Sequence, residues 1–337
     1  MTMKDIILKY KTMEGLNVPR QMGYDTMGLP IEMYIQKKFN LNNSQDIKRF
    51  GIDKFKEECN KFVDSNIGKW NDIIPRMGIS LDITNPYITK SKEYIEYEWK
   101  VFEEMWNRNL IYRGFKVMPY SYGCQTILSN SEAKDNYKEI KDLSVVVKFF
   151  FKHLFLLVWT TTPWTLPSNM ALCVNKNHTF VQIGDCIVAK DASIKVEGPV
   201  IREFSAEELI GEEYVSLFDY NKQERYIILE DDYVGLDGTG IVHQAPAHGE
   251  DDYRVCLKNN IIQKDGTNLF CAIDDEGKFT SLVPEYEGRL FRDCNLDIAI
   301  RLKNMGLLYK KQNIRHKYPH CWRTDTPLIY MAKSSWF

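Results

Sequence analysis

The chain has 337 residues, with 44 Lys plus Arg against 46 Asp plus Glu and a formal net charge of −2. At 44% hydrophobic and 27% charged residues, it is too apolar for a disordered polymer and too evenly charged for a uniformly basic nucleic-acid binder. Its length predicts about two domains at roughly 150 residues each, long enough for a sizeable core.

Residues 1–140 read as mostly helical. Thr2, with Asp5 three positions later, resembles a capping box opening a helix with Met3, Ile6, Ile7 and Tyr10 turned inward. Residues 46–70 carry apolar side chains at Ile47, Phe50, Phe55, Cys59, Phe62 and Val63, a helical pattern with a break in it. Residues 91–110 hold the clearest helix. Its Ile95, Trp99, Phe102, Trp106 and Leu110 recur at three- and four-residue steps as a core-facing stripe.

Beyond about residue 140 the pattern becomes β-rich. The apolar runs 145–151 and 154–160 read as two strands across a short polar break, and further strands are expected at 186–189, 226–229 and 240–243. Helices return at 251–259 and 294–305. No clear helix follows Gly235, Gly238 and Gly240, which favours a hairpin turn over a phosphate cradle. Lys310, Lys311, Arg315, Lys317 and Arg323 lie in a stretch, 310–324, without an acidic residue and interleaved with His316, Tyr318, His320 and Trp322. Such a stretch is either a solvated connector or a surface for phosphates and bases.

Eight scattered cysteines with no C-x-x-C pair read as free thiols of a reducing compartment. The first residues carry no signal-peptide pattern, and the apolar stretch 145–164 is broken by Lys148, Lys152 and His153, short of a membrane span. A soluble intracellular protein is expected. A zinc site wants four ligands in two spaced pairs, and only Cys124 and Cys321 read as remnants of such pairs.

Two segments point to chemistry. Thr160, Thr161, Thr162 and Thr165 are bracketed by Trp159 and Trp164 and stiffened by Pro163 and Pro167. They form a wall of hydroxyls and methyls able to measure a side chain while hydrogen-bonding a polar ligand. In residues 238–253, His243 falls at a strand end, and Asp251 and Asp252 fall near a helix start. A carboxylate there either holds an ammonium group or caps the helix, while the histidine can hydrogen-bond an ester or a water.

Both segments resemble the hallmark sequences of the editing domain in the isoleucyl-tRNA synthetase family. Tyr24-Asp25-Thr26-Met27-Gly28-Leu29-Pro30-Ile31-Glu32 is similar to a segment of that family's catalytic domain. Residues 318–328 are similar to the point where its chain returns from the editing insertion. The Trp164-Thr165-Leu166-Pro167 continuation favours the isoleucine branch over the valyl and leucyl ones. The resemblance implies an α/β fold: a partial Rossmann-type catalytic domain (1–140, with its return at 313–337) interrupted by a β-rich editing domain (141–312). It also implies ATP-dependent activation of isoleucine with magnesium, transfer to tRNA(Ile), and hydrolysis of mischarged valyl-tRNA(Ile). The expected setting is the cytoplasm, with no DNA and no membrane partner.

Carried over by the same resemblance, Thr160, Thr161, Thr162 and Thr165 line the editing pocket. Asp252 binds the substrate's α-ammonium and His243 lies by the aminoacyl ester. Asp25 faces the isoleucine ammonium, and Lys310, Lys311, Arg315, Lys317 and Arg323 meet the tRNA. The chain departs from the family at Tyr24, Thr26 and Met27, which replace Trp, Cys and His; methionine for histidine removes a polar contact. The cysteine pairs that hold zinc in some bacterial members are reduced to Ser121-x-x-Cys124 and Cys321-x-x-Thr324, so no zinc is expected. Both ATP signatures are expected to lie outside residues 1–337, making the chain a fragment. A free-standing trans-editing deacylase and a non-catalytic tRNA-binding module are the competing readings.

Overall fold

The computed structural model describes residues 2–42, 44–134 and 136–337. The chain divides into two units, Met1–Ile111 and Tyr112–Phe337.

The first unit contains helices α1 (Thr2–Met13), α2 (Leu29–Phe39), α3 (Ser44–Phe50), α4 (Ile52–Arg76) and α5 (Lys92–Asn107), with two parallel strands, β1 (Gln21–Tyr24) and β2 (Asp82–Ile88). The expected break in the 46–70 helix falls at Gly51, whose φ of 98° ends α3 and starts α4. Ser91 caps α5 as its Oγ accepts the Tyr94 N–H. The core is small, with Met22, Tyr24, Ile74 and Ile79 at its centre.

Two expectations are corrected here. Met3, Ile6, Ile7 and Tyr10 are all more than half exposed, and it is Asp5 that turns inward. Its carboxylate accepts the Ser80 N–H at 2.8 Å and pairs with Lys9 at 2.6 Å, so Asp5 serves a distant backbone group rather than a capping box. The expected stripe is exposed, and its last member falls outside the helix: Trp99 and Trp106 on α5, and Leu110 past its end, each show more than half their surface. Periodicity marks a face suited to packing without naming what it packs against.

Among the described residues, the second unit is built from three sheets. The largest has six strands in the order β10 (Val200–Ser205), β8 (Thr179–Ile183), β9 (Cys186–Ala189), β6 (Leu154–Thr160), β5 (Tyr137–Phe151) and β13 (Leu308–Pro319). Strand β7 (Ala171–Val174) lies between β11 (Ile228–Glu230), which is parallel to it, and β12 (Ile241–Gln244), which is antiparallel. Strand β3 (Arg113–Ser121) pairs with β4 (Thr126–Ile127) and with β14 (Ile329–Trp336). Among the described residues, three α-helices complete the unit: α6 (Asn130–Lys134), α7 (Glu250–Lys258) and α8 (Asn295–Asn304).

The β5–β6 hairpin appears where the apolar runs placed it. Lys152, at φ 55°, provides the left-handed turn residue. Its inward side chains, Phe149, Leu156 and Val158, join Phe180, Phe279, Phe291 and Leu302 in the main core. The basic stretch corrects the connector reading, because residues 308–319 form the edge strand β13, in antiparallel register with β5 from Tyr137↔Pro319 to Val147↔Leu308. The expected domain boundaries near 140 and 312 fall inside this ladder. Among the described residues, no helix is long and apolar enough to cross a membrane.

Candidate functional site

The threonine run sits at a forced change of backbone. Strand β6 ends at Thr160, and Pro163 and Pro167 turn the chain into a 3-10 helix, Pro163–Ser168, with every residue buried. A proline tolerates the first turn because its missing N–H would have had no helical partner there. Trp164 N–H is secured instead by Asn295 Oδ1 at 3.0 Å.

The turn aligns the hydroxyls into a chain. Thr160 Oγ1 lies 3.2 Å from Thr162 Oγ1, which lies 3.3 Å from Thr165 Oγ1. Thr165 Oγ1 is 2.9 Å from His243 Nε2, brought in by β12. Thr161 stands half-buried beside them. The Thr165 hydroxyl donates its one proton to the Thr162 carbonyl at 2.8 Å, so His243 Nε2 must carry a proton and donate to Thr165. That leaves His243 Nδ1 as a bare acceptor, and it is buried with no partner. Burial, with nearby His248 adding to it, lowers the His243 pKa to about 4. At neutral pH the ring is uncharged and offers a lone pair.

His248 repeats this arrangement. Its Nδ1 donates to the Tyr330 carbonyl at 3.1 Å, which leaves a buried, unpartnered Nε2. Its ring packs edge-on against Trp164 at 4.8 Å, and burial lowers its pKa to about 4. Within the 238–253 segment nothing marked His248 out; what fixes it is a carbonyl 82 residues away.

Asp252 lies in the first turn of α7, behind Gly249. Its Oδ2 accepts the Ala245 N–H at 2.9 Å, two residues past His243, and its Oδ1 faces the Tyr233 hydroxyl at 3.4 Å. The carboxylate therefore braces the turn after His243. A Cβ on residue 249 would come within 2.5 Å of Asp252 Cγ, so glycine there permits the approach. Burial raises the Asp252 pKa to about 6, against the opposing pull of those two donors. Asp251 is different: it is exposed and paired with Arg254 at 3.2 Å, while Arg254 forks onto Asp231. Of the two adjacent carboxylates, Asp251 already has its cation. Asp252 is held by neutral donors, which is the condition for receiving an ammonium.

The family model for class I tRNA synthetases (I, L, M and V) matches residues 1–337. The chain belongs to that family. It is 42% identical to the cytoplasmic isoleucine–tRNA ligase of Arabidopsis thaliana, over all of this chain and 32% of that one. The isoleucine–tRNA ligase of Clostridium acetobutylicum is 40% identical over 99% of this chain and 33% of its own. The cytoplasmic isoleucine–tRNA ligase of Saccharomyces cerevisiae is also 40% identical, over 100% and 33%. The chain spans about a third of the length of these curated relatives.

The remaining candidates of this class I synthetase chain are not gathered at the threonine–histidine site. Asp25 lies in the first unit, exposed, after the buried Tyr24 and before the buried Thr26. Its Oδ1 accepts the Met27 N–H at 3.4 Å. Thr26 replaces a cysteine of the family segment and bonds Thr89 at 2.9 Å and the Lys90 N–H at 2.9 Å, tying the segment to the end of β2. In the second unit, Lys310, Lys311, Arg315 and Lys317 are exposed on β13. Strand alternation places Lys311, Arg315 and Lys317 on one face and Lys310 on the other. Arg323 lies past the strand, pinned to Glu132 at 3.2 Å and stacked over Trp322. Among the described residues, no three His, Cys, Asp or Glu side chains come together as a metal set.

Proposed function

We propose that this chain serves an isoleucine–tRNA ligase. In that enzyme ATP, with magnesium, activates isoleucine, the amino acid passes to tRNA(Ile), and residues 141–312 hydrolyse mischarged valyl-tRNA(Ile). Roughly 40% identity to isoleucine–tRNA ligases along the whole chain supports the assignment. The observation that carries the editing reading is the hydroxyl chain from Thr160 to Thr165, ending on a neutral His243 whose acceptor nitrogen is buried without a partner.

Such a site hydrolyses an aminoacyl ester by positioning it against a water. The Asp252 carboxylate holds the α-ammonium and fixes the amino acid's position. His243 Nδ1 accepts a hydrogen bond from the water and aims its oxygen at the ester carbonyl. With a pKa near 4 the ring orients the water more than it removes its proton. The tetrahedral adduct collapses with loss of the terminal ribose hydroxyl, releasing free valine. Thr160, Thr161, Thr162 and Thr165 wall the side-chain space. A second, smaller site is needed because one methylene separates isoleucine from valine only weakly at the first, by about 150-fold in the known behaviour of isoleucyl-tRNA synthetases themselves.

In the first unit, Asp25 faces the isoleucine ammonium in the catalytic part formed by residues 1–140 and 313–337. Lys310, Lys311, Arg315, Lys317 and Arg323 meet tRNA phosphates, and the setting is cytoplasmic. The exposed cationic face of β13 carries a separate expectation. Replacing Lys311, Arg315 and Lys317 by alanine weakens tRNA binding and flattens the dependence of log affinity on log salt by about 2–3, read by titration at several salt concentrations.

The test is deacylation of valyl-tRNA(Ile) beside isoleucyl-tRNA(Ile) by the chain. Hydrolysis of the valyl ester alone is the expected result. Equal hydrolysis of both esters, or none from a folded chain that binds tRNA, overturns the editing assignment.

A further inference from the structure

Outside the threonine–histidine site, two turns of the second unit meet face to face. One runs from Ser121 to Thr126, between β3 and β4; the other runs from Cys321 to Thr326, after β13. They touch closely: a Cβ on Gly123 would lie 2.7 Å from Thr324 Oγ1. Between them Cys124 Sγ lies 3.7 Å from Cys321 Sγ, across 197 residues of chain. This is sulfur contact distance, and closing it to the roughly 2.05 Å of a disulfide takes a shift of under about 2 Å.

The two thiols are not equivalent. Cys321 is fully buried in a small apolar cluster with Leu128, Ala133 and Leu328, and Cys124 packs against that cluster half-buried. Burial opposes ionisation of Cys321, but the Ser121 and Thr324 hydroxyls and the Thr324 and Arg323 N–H groups outweigh it and lower its pKa. Burial raises the pKa of Cys124, with the neighbouring sulfur adding to the rise. One sulfur is half-buried at the edge of the cluster, and the other is fully buried among donors that favour its ionisation.

We propose that Cys124 and Cys321 form a reversible disulfide when the protein meets hydrogen peroxide. Cys124, the less buried sulfur, loses its proton and attacks the peroxide; an S–O bond forms, the O–O bond breaks, and the departing hydroxide takes the proton and leaves as water, giving a sulfenic acid. The Cys321 sulfur then attacks that sulfur and gives up its proton, an S–S bond forms, and the S–O bond breaks with loss of the hydroxyl, which takes that proton and departs as water. Two thiols are oxidised by two electrons and the peroxide is reduced to two waters. Excess dithiol reverses the step. Two thiols beside two hydroxyls do not make a zinc ligand set, so the pair is not committed to a metal.

The experiment treats the whole chain with hydrogen peroxide and maps its peptides without reduction. The expected product is one linked pair, Cys124 with Cys321, two hydrogens lighter than the separate peptides and cleaved by dithiothreitol. The bridge closes a loop of 197 residues, so Tm rises by about 5–10 °C on oxidation. In Cys321→Ser the resolving sulfur is removed, and Cys124 accumulates a sulfenic acid that dimedone traps. Cys173 and Cys256, both fully buried, stay reduced throughout. Two results overturn the proposal: Cys124 advancing to sulfinic acid in the unsubstituted chain while Cys321 stays a thiol, or linkage of either cysteine to another one. The peptide map needs no variant, so a variant that fails to fold leaves the test intact.

Discussion

Asp252→Ala is expected to lower kcat/KM for valyl-tRNA(Ile) hydrolysis by at least about 100-fold, the scale set by losing the charged partner of an ammonium in a confined site. The same carboxylate sets a pH limit. With its pKa raised to about 6, Asp252 is neutral below that pH and cannot pair with an ammonium. kcat/KM, which reports groups of the free enzyme, therefore falls about tenfold per unit below about pH 6. His243, with its pKa near 4, stays neutral through that range and adds no second step.

Stability runs the other way. The ordinary carboxyl value is 3.8 and the folded value is about 6, so folding disfavours the ionised form. The cost is absent below the unfolded value, grows between the two and is complete above the folded one. Asp252→Asn keeps an acceptor for the Ala245 N–H and never ionises. It is expected to lose hydrolysis while stabilising the second unit by up to about 3 kcal/mol at neutral pH, an advantage that disappears near pH 4. Denaturant unfolding at both pH values checks the sign. Equal stability of the variant and the unsubstituted chain at neutral pH would show that the carboxylate is not strained in the free protein.

Gly240→Ala is expected to be among the most destabilising single-methyl additions in the molecule. Gly240 stands immediately before β12 at φ 74°, where an L side chain costs about 1–2 kcal/mol. Its new Cβ would also run into the Ala189 Cβ on β9, where Ala189 N–H already donates to the Thr239 carbonyl at 3.0 Å. Overpacking of that kind adds about 1–3 kcal/mol, for a total loss of about 2–5 kcal/mol. Gly211→Ala supplies the comparison. Its φ is 82°, but nothing lies within 4 Å of a Cβ there, so it carries only the backbone cost. Denaturant midpoints of the two variants separate the terms, and a Gly240→Ala penalty no larger than that of Gly211→Ala would refute the close approach. Because His243 lies three residues on, the damage should also reach hydrolysis.

Features set by local pattern were legible in the sequence. The β5–β6 hairpin, the strand at Cys186–Ala189 and helix α7 appear within a residue or two of their expected places, except that β5 begins eight residues before its apolar run. That extension and the whole of β13 depend on partners 161 to 182 residues apart in sequence. Lys310, Lys311, Arg315 and Lys317 have poor strand propensity, and the ladder with β5 overrides it. The outward turn of α1 likewise follows from Ser80, which needs the Asp5 carboxylate for its N–H. At the candidate site, the threonines, His243 and the Asp251–Asp252 pair could be singled out from residue type and spacing, while only the family resemblance preferred Asp252. The missing information was in protons and distance: which nitrogen of His243 is bare, that His248 stands beside it, and that Asp252 braces Ala245.

The β5–β13 ladder has a consequence for how such a chain can be assembled. Tyr137 and Pro319 are paired neighbours in that ladder, only about 4.5–5.5 Å apart between Cα atoms. Everything from 138 to 318 therefore leaves and re-enters through a doorway one residue pair wide. A host that offers two adjacent chain ends could accept this segment as a cassette or have it excised, and a two-residue turn would reseal the gap. Its length can drift without altering the path of the chain on either side.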